Sequence, residues 1–206
     1  MNLFGKKVFA GHRAEKTPFV IITGCAGSGK TSLGEKIARA LKWTYVDKDT
    51  VTRGFTDYIL VEKGKSCGDR ESDLYCRDIR PIEYRITFKV CEENLRLGNP
   101  VILTIPFIAQ IRDYCKWIDM VKEFGMDLTE VDVKFVWINH NEGGEFARIT
   151  RRGAARDGYK LSHWEEYANG IDGISPDERY CAYCYDNDSY TADEMYVKDV
   201  IAWITK

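Results

Sequence analysis

The chain has 206 residues, 44% of them hydrophobic, enough for one sizeable core with a small attached lid. Its 30 lysines and arginines nearly balance 32 aspartates and glutamates, leaving a formal net charge of -2 and none of the basic excess of a general phosphate-backbone binder. No apolar run approaches the roughly 20 residues that cross a bilayer, and no apolar stretch follows Lys6 and Lys7 as a signal peptide requires, so a cytoplasmic protein without membrane contact is expected.

In chain order, the run FVIIT between Pro18 and Gly24 predicts a buried parallel strand. Leu33, Ile37, Ala40 and Leu41 recur at helical spacing behind it, and KWTYVD predicts a second strand that ends at Asp47. Pro81 is placed to open a helix, with Arg80 pushed towards an extended conformation. That helix carries Tyr84, Phe88, Cys91 and Leu95 to a cap at Gly98. PVILTI is the next strand, followed by a helical stretch with Ile111, Tyr114, Ile118 and Val121; VDVKFVWI is the fourth. After the arginine-rich EFARITRRGAARDGYKL comes a fifth strand in YCAYCYDN, and Thr191 with Glu194 forms a capping box for a last helix ending near Ile204.

Strands alternating with helices predict an α/β fold: a five-stranded parallel sheet flanked by helices, with an arginine-rich lid near 142–168. Residues 1–17 read as an N-terminal extension and 18–206 as a single domain. The seven cysteines are odd in number and scattered, which suits reduced thiols, buried by default as small apolar residues. Cys181 and Cys184 form a CxxC, but His12, His140 and His163 supply no evident second ligand pair for zinc.

Gly24, Gly29, Lys30 and Thr31 satisfy the phosphate-binding loop pattern between a strand and a helix. Gly24, Cys25, Ala26, Gly27, Ser28 and Gly29 turn backbone N–H groups inward as an anion nest, and the following helix, with Ser32 in its first turn, directs its positive end there. Lys30 reaches the β- and γ-phosphates, and the Thr31 hydroxyl is a magnesium ligand. The expected ligands are therefore ATP, chosen by frequency, and Mg2+. In a parallel sheet Asp47 and Asp49, following the second strand, lie near the mouth of this loop.

The loop, then YVDKDTVTR, RESDLYCRDIRPIEYR, VILTIPF and RITRRGAARDGYKLSHWEEY, resembles small bacterial AAA-type ATP-binding proteins. They lie among the P-loop kinases that include gluconate kinase, chloramphenicol phosphotransferase, zeta toxins and the 5′-kinase part of polynucleotide kinase. The resemblance covers roughly residues 18 to 190. It implies that Asp49, with Asp47 as the alternative, accepts the proton of an attacking hydroxyl or helps order magnesium. It implies lid contacts to ATP from Arg148, Arg152 and Arg156, whereas Arg151 faces solvent and Asp157 positions an arginine. Arg53, Arg80, Tyr84, Arg85 and Thr104 are the expected substrate contacts, with Glu83, Asp69, Arg70 and Glu71 near the same mouth and Phe107 and Trp164 as candidate walls.

One departure is Thr104 and Ile105 in VILTIPF, where ATP-hydrolysing P-loop proteins carry an aspartate. The expected activity is transfer of the γ-phosphate of ATP to a hydroxyl of a small molecule by a kinase. A 5′-hydroxyl nucleic-acid kinase and a non-catalytic ATP-binding regulator are the alternatives.

Overall fold

The computed structural model describes residues 16–139, 141–187 and 194–206. His12, His140, Thr191 and nearly all of the N-terminal extension lie outside the described residues. The elements run β1 (Thr17–Gly24), α1 (Lys30–Leu41), β2 (Thr44–Asp47), α2 (Lys48–Glu62), a π-helical segment (Leu74–Ile79) and α3 (Arg80–Arg96). Next come β3 (Val101–Thr104), α4 (Ile108–Ile111), α5 (Tyr114–Phe124), β4 (Val131–Ile138) and α6 (Glu142–Arg152). A 3-10 turn (Ala155–Asp157), α7 (Gly158–Ser162), α8 (Trp164–Ile171), β5 (Ala182–Tyr185) and α9 (Glu194–Ile204) complete the order.

The sheet has 5 strands in the order β2-β3-β1-β4-β5, every pairing parallel. Side chains alternate across β1 as strand geometry requires. Phe19 and Ile21 pack on the face covered by α3 and α5, Val20 and Ile22 on the face covered by α1 and α9. Both faces of the central strands are buried, which is why β1 and β3 read as continuous apolar runs rather than alternating ones. Phe88 of α3 lies at the centre of the first layer, with ring centroids 5.8 Å from Phe107, 5.9 Å from Trp117 and 6.2 Å from Phe19.

Two local expectations fail for identifiable reasons. Arg80 is α-helical (φ -56, ψ -41), not extended, because the π-helical segment continues into α3. Its guanidinium is tied back to the Arg70 carbonyl at 3.2 Å and to Cys76 Sγ at 3.3 Å. The stretch from Ile111 to Val121 is two helices: Asp113 accepts from the Cys115 amide at 3.0 Å and starts α5 afresh. The cysteines are all free, but only Cys25 and Cys91 are buried, while Cys181 and Cys184 are exposed. Among the described residues there is no group of three or more histidine, cysteine, aspartate or glutamate side chains that could hold a metal ion, and no helix is long and apolar enough to cross a membrane.

α2 was not foreseen, and the reason lies in what it buries. Its inward positions are Lys48, Thr52, Thr56 and Leu60, a mostly polar stripe at helical spacing. That stripe faces Glu83 of α3, which is 1% exposed. Glu83 accepts from Lys48 at 2.7 Å, Thr56 at 2.6 Å, Thr52 at 3.3 Å and Tyr75 at 2.9 Å. Removing one member of such a cluster leaves an uncompensated buried charge. Glu83→Ala is expected to lower the unfolding free energy by about 3–5 kcal/mol in urea denaturation. Arg85→Ala, which breaks the exposed Arg85–Glu123 pair, should cost no more than about 1 kcal/mol.

Candidate active site

The carboxyl end of β1 turns into the glycine-rich loop, and two of its glycines meet needs that a side chain would obstruct. Gly29 caps α1 with φ 101, a left-handed conformation that side chains oppose. A Cβ on Gly27 (φ 78) would lie 2.8 Å from the Glu145 carbonyl, so glycine here lets α6 seat directly on the loop. Lys30 donates to the Gly24 carbonyl at 2.9 Å and the Cys25 carbonyl at 2.6 Å. Its burial holds the ammonium pKa below the ordinary lysine value, partly countered by Cys25 and Asp49. Burial also pushes the Cys25 thiol up to about 12, so Cys25 offers the loop its backbone rather than a nucleophile.

Two further side chains secure the loop, and neither was singled out from the sequence. Asn187, 6% exposed beyond β5, donates to the Ser28 carbonyl at 2.7 Å. The Tyr167 hydroxyl accepts from the Ala26 amide at 2.9 Å. Both contacts span more than a hundred residues of chain, a separation that no local pattern carries.

Asp47 and Asp49 have different surroundings. Asp47 Oδ2 accepts from Thr31 Oγ1 at 3.3 Å and from Thr104 Oγ1 at 2.7 Å, while its Oδ1 caps α2 through the Thr50 amide at 2.9 Å. Thr104 also meets the Tyr45 hydroxyl at 3.0 Å, so it underpins Asp47 while lining the cleft. Thr31 hydroxyl and Asp47 carboxylate together form an oxygen donor set of the kind that suits Mg2+. Asp49 is 3.1 Å from Lys48 Nζ and 3.0 Å from Arg156 Nη1. Burial alone would raise its pKa, but these two cations more than offset that and hold it below the usual aspartate value.

The lid segment closes over this corner. Arg148 Nε donates to the Gly27 carbonyl, and its Nη2 is a buried donor with no hydrogen-bond partner among the described residues. Arg152 makes a two-pronged bond to Asp157, at 2.9 and 2.7 Å. Arg151 is exposed. Gly68 brings the α2–α3 connection against the lid, since a Cβ there would lie 2.4 Å from the Ala155 carbonyl. Lys160 of α7 pairs with Glu71 of the same connection.

These parts border one cleft of about 1370 Å3. It is lined by the loop, Asp47, Asp49, Arg148, Arg152, Arg156 and Thr104, and also by Arg70, Tyr75, Arg80 and Tyr84. Tyr84 donates to the Pro106 carbonyl, so its ring forms a fixed wall. Arg80 stacks over the Tyr75 ring at 5.0 Å and has no carboxylate partner among the described residues. Two expected substrate contacts fall elsewhere. Arg53 is exposed on the outer side of α2 and does not line the cleft. Arg85 does not line the cleft itself and is taken up at its rim by Glu123, at 2.8 Å, in an exposed ion pair. Phe107 is fully buried in the aromatic layer, and Trp164 stacks on Phe146 and Tyr167; neither lines the cleft.

Comparison with known proteins agrees with this architecture. A shikimate kinase of Corynebacterium efficiens is 32% identical over 108 residues, covering 50% of this chain and 59% of that protein. One of Corynebacterium diphtheriae is 29% identical over 120 residues, covering 56% and 64%. The chain thus spans less than two thirds of the length of these relatives. Among solved structures, a sugar kinase from Janibacter sp. HTCC2649 superposes with TM-score 0.62 at 14% identity, covering 92% of this chain and 95% of the other. A gluconokinase from Sinorhizobium meliloti 1021 gives TM-score 0.54 at 18% identity, covering 93% and 92%. These likenesses establish the fold of a P-loop kinase. The model of an AAA domain family matches residues 19–172, and the chain belongs to that family.

Proposed function

We propose that this chain transfers the terminal phosphoryl group of ATP to a hydroxyl of a small molecule that carries an anionic group. The observation that carries the reading is the meeting of three independent parts at one cleft: the phosphate loop, the Asp47–Asp49 pair, and the guanidinium groups of the lid. Its volume of about 1370 Å3 accommodates a nucleotide and a second reactant together.

In the proposed reaction the acceptor hydroxyl oxygen bonds to the γ-phosphorus as the bond to the β–γ bridging oxygen breaks, and ADP leaves. Asp49 receives the hydroxyl proton. Held ionised by Lys48 and Arg156, it is a weak base, which suits a loose transition state in which proton transfer comes late. Thr31 and Asp47 would hold Mg2+, which when bound neutralises charge on the β- and γ-phosphates. Lys30, Arg148 and Arg152 supply donors where charge spreads over the moving phosphoryl group, and Asp157 keeps Arg152 in a fixed orientation. Arg80, a cleft cation without a carboxylate partner among the described residues, is the group expected to meet the acceptor's anionic end.

The test is ADP release from MgATP over a panel of hydroxylated acids headed by shikimate and gluconate, with neutral sugars and 5′-hydroxyl oligonucleotides beside them. Stimulation by an acid supports the proposal; stimulation by oligonucleotides alone, or none by any compound, contradicts it. Asp49→Asn should lower kcat by about 10²–10⁴-fold while leaving nucleotide affinity intact. Asp47→Asn should instead raise the magnesium concentration that gives half-maximal rate. Arg80→Gln is expected to raise KM for the acid by about 10–100-fold, the worth of one charge-assisted hydrogen bond, without a matching change in KM for ATP; equal changes in both would remove Arg80 from acceptor recognition.

A further inference from the structure

The Cys25–Ala26 peptide unit is held from both ends by side chains that line the cleft. Its carbonyl accepts from Lys30 Nζ at 2.6 Å, and its N–H donates to the Tyr167 hydroxyl at 2.9 Å. One peptide unit therefore separates the ammonium group that serves the β- and γ-phosphates from a phenol delivered by α8. A phenol has one hydrogen to donate and lone pairs to accept with. Accepting from Ala26 uses a lone pair, and the hydroxyl hydrogen has no acceptor among the described residues. The ring is fixed by Trp164, at a centroid distance of 5.5 Å, and by Lys160 Nζ, 5.7 Å from its centroid. Such a hydroxyl is a preoriented donor facing the cleft.

We propose that Tyr167 is a catalytic residue that donates a hydrogen bond to an oxygen of the terminal phosphoryl group, which rests on the phosphotransfer reading of this site. A group in that position touches ATP but not ADP, and its bond strengthens as charge builds on the transferring group. It also couples phosphate recognition to the lid, because α8 follows α7 directly and Lys160 joins that helix to Glu71. A role confined to bracing the loop would act on both nucleotides alike, since ADP uses the same amides.

The test is calorimetric binding of ADP and of a non-hydrolysable ATP analogue, each with magnesium, to wild type and to Tyr167→Phe. Neither measurement needs the acceptor. The expected result is an about tenfold loss of affinity for the analogue with ADP affinity unchanged. Equal weakening of both nucleotides, or no weakening of either, overturns the assignment while leaving the phosphate site in place. Loss of all nucleotide binding in the variant assigns Tyr167 to loop support and overturns it as well. Failure of the wild type to bind either nucleotide refutes the site reading, and this proposal with it.

Discussion

Thr104 stands level with Ile22 of β1 on one side and with Asp47 of β2 on the other, and this parallel register is what the site rests on. Parallel pairing sends the carboxyl ends of all the strands to one edge, so the glycine loop after β1 and the aspartates after β2 emerge at the same edge, with the end of β3 between them. The Thr104 hydroxyl then ties Asp47 into that row, and Asp47 turns its remaining oxygen to the first turn of α2. A slip of one residue between β2 and β3 would send Asp47 to the other face of the sheet and separate it from Thr31. This also gives the neutral threonine in VILTIPF a structural meaning. In the proposed reaction the carboxylate that other P-loop proteins carry on this strand is supplied one strand further out, by Asp47.

Charge in the cleft is arranged by burial. Lys48, 3% exposed, lies between Glu83 on one side and Asp49 on the other, and Asp49 shares its second oxygen with Arg156 of the lid. Burial alone would lower the Lys48 pKa, but Asp49, Tyr75 and Glu83 raise it, so the lysine stays charged in a dry setting. The same lysine that fastens α2 to α3 thus helps hold the proposed base ionised. Stability and the proposed chemistry share one set of side chains, and a change at Glu83 acts on both.

What could be read from the chain alone follows from how local each signal is. The phosphate loop was legible because its function lies in the spacing of Gly24, Gly29, Lys30 and Thr31 within one turn. The central strands β1 and β3 were legible because strands covered on both faces write themselves as unbroken apolar runs. α2 was not, since the stripe it buries is Lys48, Thr52 and Thr56, which read as surface residues until Glu83 is known to face them. Arg80 and Arg85 looked equivalent in RPIEYR, yet Arg80 lines the cleft while Arg85 is held by Glu123 at its rim. Tyr167 and Asn187 reach the loop only through the fold, across 141 and 159 residues of chain.

The convergence of loop, aspartates and lid on one phosphate is measured directly by a crystal structure with magnesium and a non-hydrolysable ATP analogue. The expected structure has the metal bound by Thr31 and Asp47, Asp49 facing the side of the γ-phosphorus opposite the bridging oxygen, and at least one lid guanidinium at hydrogen-bond distance from the γ-phosphate. A liganded structure in which the two aspartates and the arginines all turn away from that phosphate would contradict it and leave a nucleotide binder without transfer chemistry.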